Sequence, residues 1–374
     1  MLKINKIVAS QWTLAALLVS FLYFAMVTTA TANLAPPTFL YLFYILCYFL
    51  FAKNIYYEII HDKYLLLLTL LIVAITVISS FFRKAGALMP LCMFVLQLLI
   101  APQFVMTKRM KLVVISIFVA FSLYFFLINK SSINTNSIGF IWTVCGVYLL
   151  IFVHPKTILS YLYYFAVLSF IIPNLLVSNS RSCLLGFLFF MLCKFLGNKV
   201  FQSKLLYKIL CILLTFGSIL WVSLYVWMFI TEFDLQQYTS LVSDDKSAFS
   251  GRQYIWNEAL GMLAEKPFIG YGSDFVLESF EKNELHNSML CLFVFYGCLV
   301  SIGLLLLLNR HLFSLFDFVK KNVLTRSALA AFFCFLIIGF FENTIVAHPI
   351  CFLSLFIAFS VKNDVQSALK LQQL

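Results

Sequence analysis

SGRQYIWNEALGMLAEKPFIGYGSDFVLESFEKNELHNSMLCLFVFYG, residues 250–297, is the long polar interval in a chain that otherwise alternates apolar runs with short charged joints. Its first third spells a helix with one apolar stripe. Its middle is a Pro-Phe-Ile-Gly-Tyr-Gly turn at 267–272, and His286-Asn287 stands at the mouth of the next apolar run. A polar interval flanked by membrane-length apolar runs reads as a cap over a helical bundle embedded in a bilayer.

The rest of the chain supports that reading. Of 374 residues, 63% are hydrophobic and only 11% charged, whereas soluble domains are about half apolar and about a quarter charged. The expected fold is all-α: one polytopic membrane domain over 1–374, with the stretch 231–286 as its large outer loop. Twelve apolar stretches fall near 7–28, 36–52, 64–82, 87–106, 112–128, 138–153, 157–177, 183–196, 205–230, 287–308, 327–341 and 345–361. The sixth, eighth and eleventh are short enough to be tilted or partly re-entrant. Pro102 and Pro173 sit inside runs and should kink them. The run from Ile7 to Val27 is longer than the core of a signal peptide, so it reads as a retained first span.

The net charge of +11 points to topology before it points to nucleic acid. With the N-terminus cytoplasmic, most of the 26 Lys and Arg residues fall in inner joints, which places both termini inside and 231–286 outside. The ten cysteines lie within or beside apolar runs and read as packing residues rather than a disulfide or zinc framework.

The informative cations are those on the outer side. Ser250 with Gln253 forms a capping box that starts a helix, which should stop at Pro267. Trp256, Ala259, Leu260 and Leu263 make its apolar stripe, so the helix should lie on the membrane surface or on the bundle. Arg252, in the first turn, is disfavoured there by the helix dipole by ~0.3–1 kcal/mol, yet a guanidinium beside free backbone N–H groups suits a phosphate or diphosphate. The plainer alternative is an Arg reaching to lipid headgroups. Arg181, in Ser178-Asn179-Ser180-Arg181-Ser182, enters the bilayer from the side poor in basic residues and carries the same two readings. His286 offers proton transfer near neutral pH, or is simply a satisfied interfacial residue. Glu342, between the last two apolar runs, can pair with a site Arg. Arg83 and Lys84 lie in another outer joint. No Asp-x-Asp pair, HExxH, P-loop or GxSxG is present, so neither a metal nor a nucleotide cofactor is expected.

Taken together, Ser-Asn-Ser-Arg-Ser at 178–182, Ser-Gly-Arg at 250–252 with Trp256, Glu-Lys-Pro-Phe-Ile-Gly-Tyr-Gly at 265–272, His286-Asn287 and Tyr296-Gly297 resemble the O-antigen ligase and polymerase family of bacterial membrane glycosyltransferases. The resemblance covers about 178–300. It implies a GT-C-like, metal-independent enzyme that takes a polyprenyl-diphosphate-linked glycan as donor and a glycan or lipid hydroxyl as acceptor, on the outer face of the cytoplasmic membrane. In that setting Arg252 and Arg181 would bind the diphosphate, His286 would act on the acceptor hydroxyl, Asn287 would fix its ring, and Tyr271, Glu342, Arg83 and Lys84 would contact substrate. Membrane lipids, a chain-length regulator and a flippase are the expected partners, and nucleic acid is not. The compact outer loop favours a polymerase of O-antigen, capsule or exopolysaccharide repeat units over a ligase to lipid A-core. A flippase or transporter is the alternative of a different class, and a scaffold of the assembly machinery is a third.

Overall fold

The computed structural model describes residues 6–28, 38–80, 88–128, 133–231, 252–272, 275–278, 285–345 and 348–372. Arg83, Lys84, Ser250 and most of the stretch 231–251 lie outside these residues. Every apolar stretch read from the sequence contains a helix: α1 (Lys6–Thr28), α2 (Thr38–His61), α3 (Lys63–Ser80), α4 (Leu88–Ile100), α5 (Lys108–Leu127), α6 (Thr135–Leu150), α7 (Ile158–Val177), α8 (Arg181–Val200), α9 (Lys204–Ile230), α11 (Ser288–Ser314), α13 (Val323–Ile338) and α14 (Ile350–Gln372). Two more helices belong to the joints, α10 (Arg252–Glu265) and the short α12 (Phe316–Lys321). Among the described residues, five helical segments are long and apolar enough to cross a membrane; the bent pair Leu42–Ala52 and Asn54–His61 would make a sixth. Others, such as Thr135–Leu150 and Val323–Ile338, are apolar but shorter.

Burial sorts the helices into layers. α13 is buried almost all round, from Thr325 to Leu336, as is α6 from Gly139 to Leu150; a helix apolar on every side belongs in the middle of a bundle. α3, α5, α7 and α9 instead turn residues such as Leu67, Leu127, Phe165 and Leu213 outward, the surface expected to meet acyl chains. Between helices in a membrane the lipid competes equally for apolar side chains, so close packing and hydrogen bonds decide association. The seams show both. Gly186 lets α8 approach α13, since a Cβ there would lie 2.7 Å from Ile338 and 3.0 Å from the Cys334 carbonyl. Aromatic rings fill the remainder: Phe118 stacks on Tyr148 at 4.8 Å, and Phe94 meets Phe352 edge-on at 5.2 Å.

Helix α11 is broken at Gly297, whose φ of 71° and ψ of 173° are not helical. The break has a visible cause. The 267–272 turn docks against it through backbone bonds, Tyr271 N–H to Val294 O at 2.8 Å, Gly272 N–H to Phe295 O at 2.9 Å and Cys298 N–H to Pro267 O at 2.7 Å. Groups that an unbroken helix would pair internally are thereby satisfied by the turn, the condition for irregular backbone inside such a protein. Both partners must be glycine. A Cβ on Gly297 would stand 2.2 Å from Phe268 O, and one on Gly270 2.6 Å from Val294 O.

Candidate active site

The site is assembled where α10, the start of α11, the start of α6 and the turn after α13 converge. Helix α10 begins at Arg252 and ends just before Lys266 and Pro267, as the sequence requires. Its Trp256 and Ala259 are fully buried in an apolar cluster with Val222, Tyr225 and Leu290, while Asn257, Gly261 and Glu265 remain exposed. The Trp256 ring meets Tyr225 edge-on at 4.9 Å, a contact worth ~0.5–1.5 kcal/mol beyond its burial. Its indole N–H donates to the Leu285 carbonyl at 2.8 Å. So α10 is pinned to the bundle, with Arg252 directed over the site.

His286 follows that anchored carbonyl with φ of 48°, one of two non-glycine residues in the left-handed region among the described residues. Such a conformation costs on the order of 1–2 kcal/mol and persists only where neighbours enforce it. Asn287 enforces it from the other side. Its carboxamide oxygen accepts the Met289 and Leu290 N–H groups as the N-cap of α11 and also the Ser218 hydroxyl at 3.0 Å, while its NH2 donates to Phe340 O at 2.8 Å. Asn287 therefore braces the backbone on both sides of the helix start; it does not fix the imidazole ring as the sequence reading expected.

Ser288 completes the joint. Its N–H donates to Gly339 O at 2.8 Å, its hydroxyl donates to Glu342 O at 2.9 Å, and the same oxygen accepts Thr344 N–H at 2.9 Å and Ile345 N–H at 3.2 Å. The turn after α13 is thus stitched to the start of α11, and Glu342 is held beside His286. Its carboxylate takes Arg252 Nη2 on Oε1 at 2.6 Å and His286 Nδ1 on Oε2 at 3.2 Å. Asn136 Nδ2 donates to Oε1 at 2.8 Å. The three charged or titratable side chains are 19%, 31% and 16% exposed for Arg252, His286 and Glu342, open enough to be reached and covered enough for charge-assisted bonds to count.

The chemistry of this arrangement follows from the donors and acceptors. A carboxylate paired with a guanidinium only accepts, so His286 Nδ1 carries the proton, and in the neutral ring Nε2 is the acceptor nitrogen. That is a base oriented by a third group. Glu342 engages Arg252 through Nη2, and a guanidinium has five N–H donors with which to meet an anion. Two buried polar atoms on residues next in the chain to Arg252 and Glu342 have no hydrogen-bond partner among the described residues, Gln253 Oε1 and Asn343 Oδ1. Buried polar groups ordinarily find partners, so these two atoms are free to meet a polar substrate atom or a water.

Two expected members stand apart from this core. Arg181 opens α8 and is exposed; it makes no ion pair among the described residues, and its link to the site is indirect, through Cys183, whose thiol lies 3.9 Å from Asn136 O. Tyr271 donates to Glu265 at 2.6 Å and lies under the Lys266 ammonium at 4.3 Å, outside the Glu342 network. Burial first, and then the bond to Glu265, pushes its phenol up to about 12. Asn136 is the residue that the sequence reading missed. Its only signal was a polar run, Ser131 to Ser137, opening an apolar stretch. Among the described residues no three His, Cys, Asp or Glu side chains gather as metal ligands would.

No curated protein matches the chain significantly. Residues 164–305, from within α7 to the broken α11, match the family model described as O-antigen ligase. Arg181, Arg252, Tyr271, His286 and Asn287 all fall inside that match, and Asn136 and Glu342 fall outside it. The apolar helices fit a membrane protein, and over residues 164–305 the chain is similar to the O-antigen ligase family.

Proposed function

We propose that the protein polymerises polyprenyl-diphosphate-linked oligosaccharide repeat units, as a metal-independent glycosyltransferase of bacterial surface-polysaccharide synthesis. The observation that carries the reading is the Glu342 carboxylate shared between Arg252 and His286. An acceptor sugar hydroxyl attacks the anomeric carbon of the donor glycan. The bond from that carbon to the diphosphate oxygen breaks, and its electron pair leaves with the diphosphate. His286 Nε2 takes the hydroxyl proton, with Glu342 holding the ring and offsetting its charge. Arg252, joined by Arg181 when substrate is bound, stabilises the charge that grows on the leaving group. Asn287 keeps the helix start in register, and Tyr271, Arg83 and Lys84 contribute to the substrate surface.

The topology of this reading has twelve spans, both termini in the cytoplasm and 231–286 on the outer face of the cytoplasmic membrane, supported by the distribution of Lys and Arg. A ligase that delivers the glycan to lipid A-core is the second reading, favoured by the description of the matching family. One experiment separates them: purified protein incubated with a lipid-linked repeat unit alone. A ladder of products without a second acceptor identifies the polymerase. Silence until lipid A-core is added identifies the ligase, and silence with both overturns the proposal. A chelator leaves the rate unchanged; loss restored by Mg²⁺ would remove the metal-independent step.

A further inference from the structure

A cavity of about 930 Å³ lies where α2 ends and α9 begins. Helix α9 connects it to the candidate active site: Ser218 is bonded to Asn287 at the site, Lys204 is in the cavity wall, and the interval is roughly 20 Å at ~1.5 Å per residue. Helix α9 is itself long and apolar enough to cross a membrane, so its first turns lie at one end of such a span. The wall is basic. Lys204 and Lys208 come from the first turns of α9, one helical turn apart on the same face, with Arg310 from α11 and Lys362 from α14. Two carboxylates answer these four cations, Glu58 and Asp62 at the end of α2. Asp62 is committed to Arg310 in an ion pair. Lys208 rests over the Phe313 ring at 5.3 Å, and Lys204 has no ion-pair partner among the described residues.

The surroundings are apolar on the lipid-facing side. Leu67 is 65% exposed and Leu306 45% exposed, and both line the same cavity. A wall with net positive charge at the bilayer rim, continuous with exposed leucines directed at acyl chains, has the shape and charge of a phospholipid rather than of a free anion. Basic pockets between transmembrane helices suit anionic headgroups. We propose that this cavity binds the phosphate of an anionic phospholipid, with Lys204 and Lys208 as its principal contacts and the α2–α3 joint as its outer wall. The bound lipid ties α2 and α3 to α9 and α11, far from the Glu342 network.

The test uses the full chain in a neutral detergent, titrated with dioleoyl phosphatidylglycerol, with the phosphatidylcholine of the same chains, or with inorganic phosphate. Thermal unfolding reads the stabilisation. Phosphatidylglycerol raises the midpoint saturably, and the other two do so far less. K204Q weakens the apparent affinity for phosphatidylglycerol by about fivefold, and K204Q/K208Q by roughly 25-fold. K320Q/K321Q removes the same charge from α12, outside the cavity, and leaves the response as it was. Equal stabilisation by both lipids overturns the proposal. An unchanged response in K204Q/K208Q overturns it as well, and inorganic phosphate matching phosphatidylglycerol would make this a free-anion site instead. Polymerising activity plays no part in the readout.

Discussion

The Arg252 guanidinium donates to the Glu342 carboxylate at 2.6 Å although 90 positions separate the two residues. Each is delivered by an element fixed on its own account: Arg252 by a helix whose Trp256 is buried, Glu342 by a turn that the Ser288 hydroxyl clasps. The pair is therefore set by the bundle rather than by mutual attraction, and it persists when one member is replaced conservatively.

Glu342→Gln tests that point and the positioning role together. The amide keeps the size and one acceptor, but it removes the charge that holds the His286 proton on Nδ1. The turnover number is expected to fall by about 10²-fold with little change in KM, and its pH profile to shift, while the protein level in the membrane stays normal. An unchanged profile would reduce Glu342 to a structural tie of Arg252.

His286→Asn separates backbone from chemistry. Asn tolerates the left-handed conformation at φ of 48°, so the fold survives while the imidazole is lost. The expected loss of activity is about 10²–10⁴-fold with an unfolding midpoint close to the parent's. Normal chain-length ladders from this variant, from Arg252→Ala and from Arg181→Ala would remove the proposed chemistry.

The break in α11 makes a prediction about stability alone. Gly297→Ala places a Cβ 2.2 Å from Phe268 O at φ of 71°, so the turn must leave the helix or the helix must move. The strained dihedral by itself costs ~1–2 kcal/mol, and the clash adds to it. Gly270→Ala meets Val294 O and Gly297 N of α11 at the same contact and should be similarly harmful. Gly261, in α10 with nothing within 4 Å of its Cβ position, is the control. Gly261→Ala should raise stability by ~0.5–1 kcal/mol. Thermal unfolding of the three variants in one detergent ranks them, and a harmless Gly297→Ala would show that the docked turn is not what breaks α11.

What the sequence could and could not show divides along range. Apolar runs, the stop at Pro267 and the stripe of α10 are local patterns, and each has a counterpart in the structure. The bend within α2, the break at Gly297 and the Asn136–Glu342 bond are set by contacts between distant segments, which no periodicity encodes. Glu342 was readable as a partner for an Arg because a carboxylate between two apolar runs needs a cation. Its second partner, His286, depends on the Ser288 clasp, a bond between a helix start and a turn more than fifty residues away. Tyr271 shows the converse. Its turn motif was legible, but the backbone of that turn is spent on α11, and its hydroxyl on Glu265.

Acid should destabilise the protein through two histidines outside the helices. His348 lies in the turn before α14, tilted on the Phe140 ring at 4.9 Å, and burial pushes it down to about 4. His154 lies in the joint between α6 and α7 and is pushed down to about 4, first by burial and then by Lys194, Lys156 and Arg326. Unfolded, each titrates near 6.5. Below that value the unfolded chain binds protons that the folded chain refuses, so stability is full above about 6.5 and declines as the pH falls towards 4. His348→Gln removes one of these protons. Its unfolding midpoint should fall less steeply than the parent's between pH 6.5 and 4, and His154→Gln should behave likewise. Parallel curves for the parent and both variants would show that neither imidazole is held neutral by the fold.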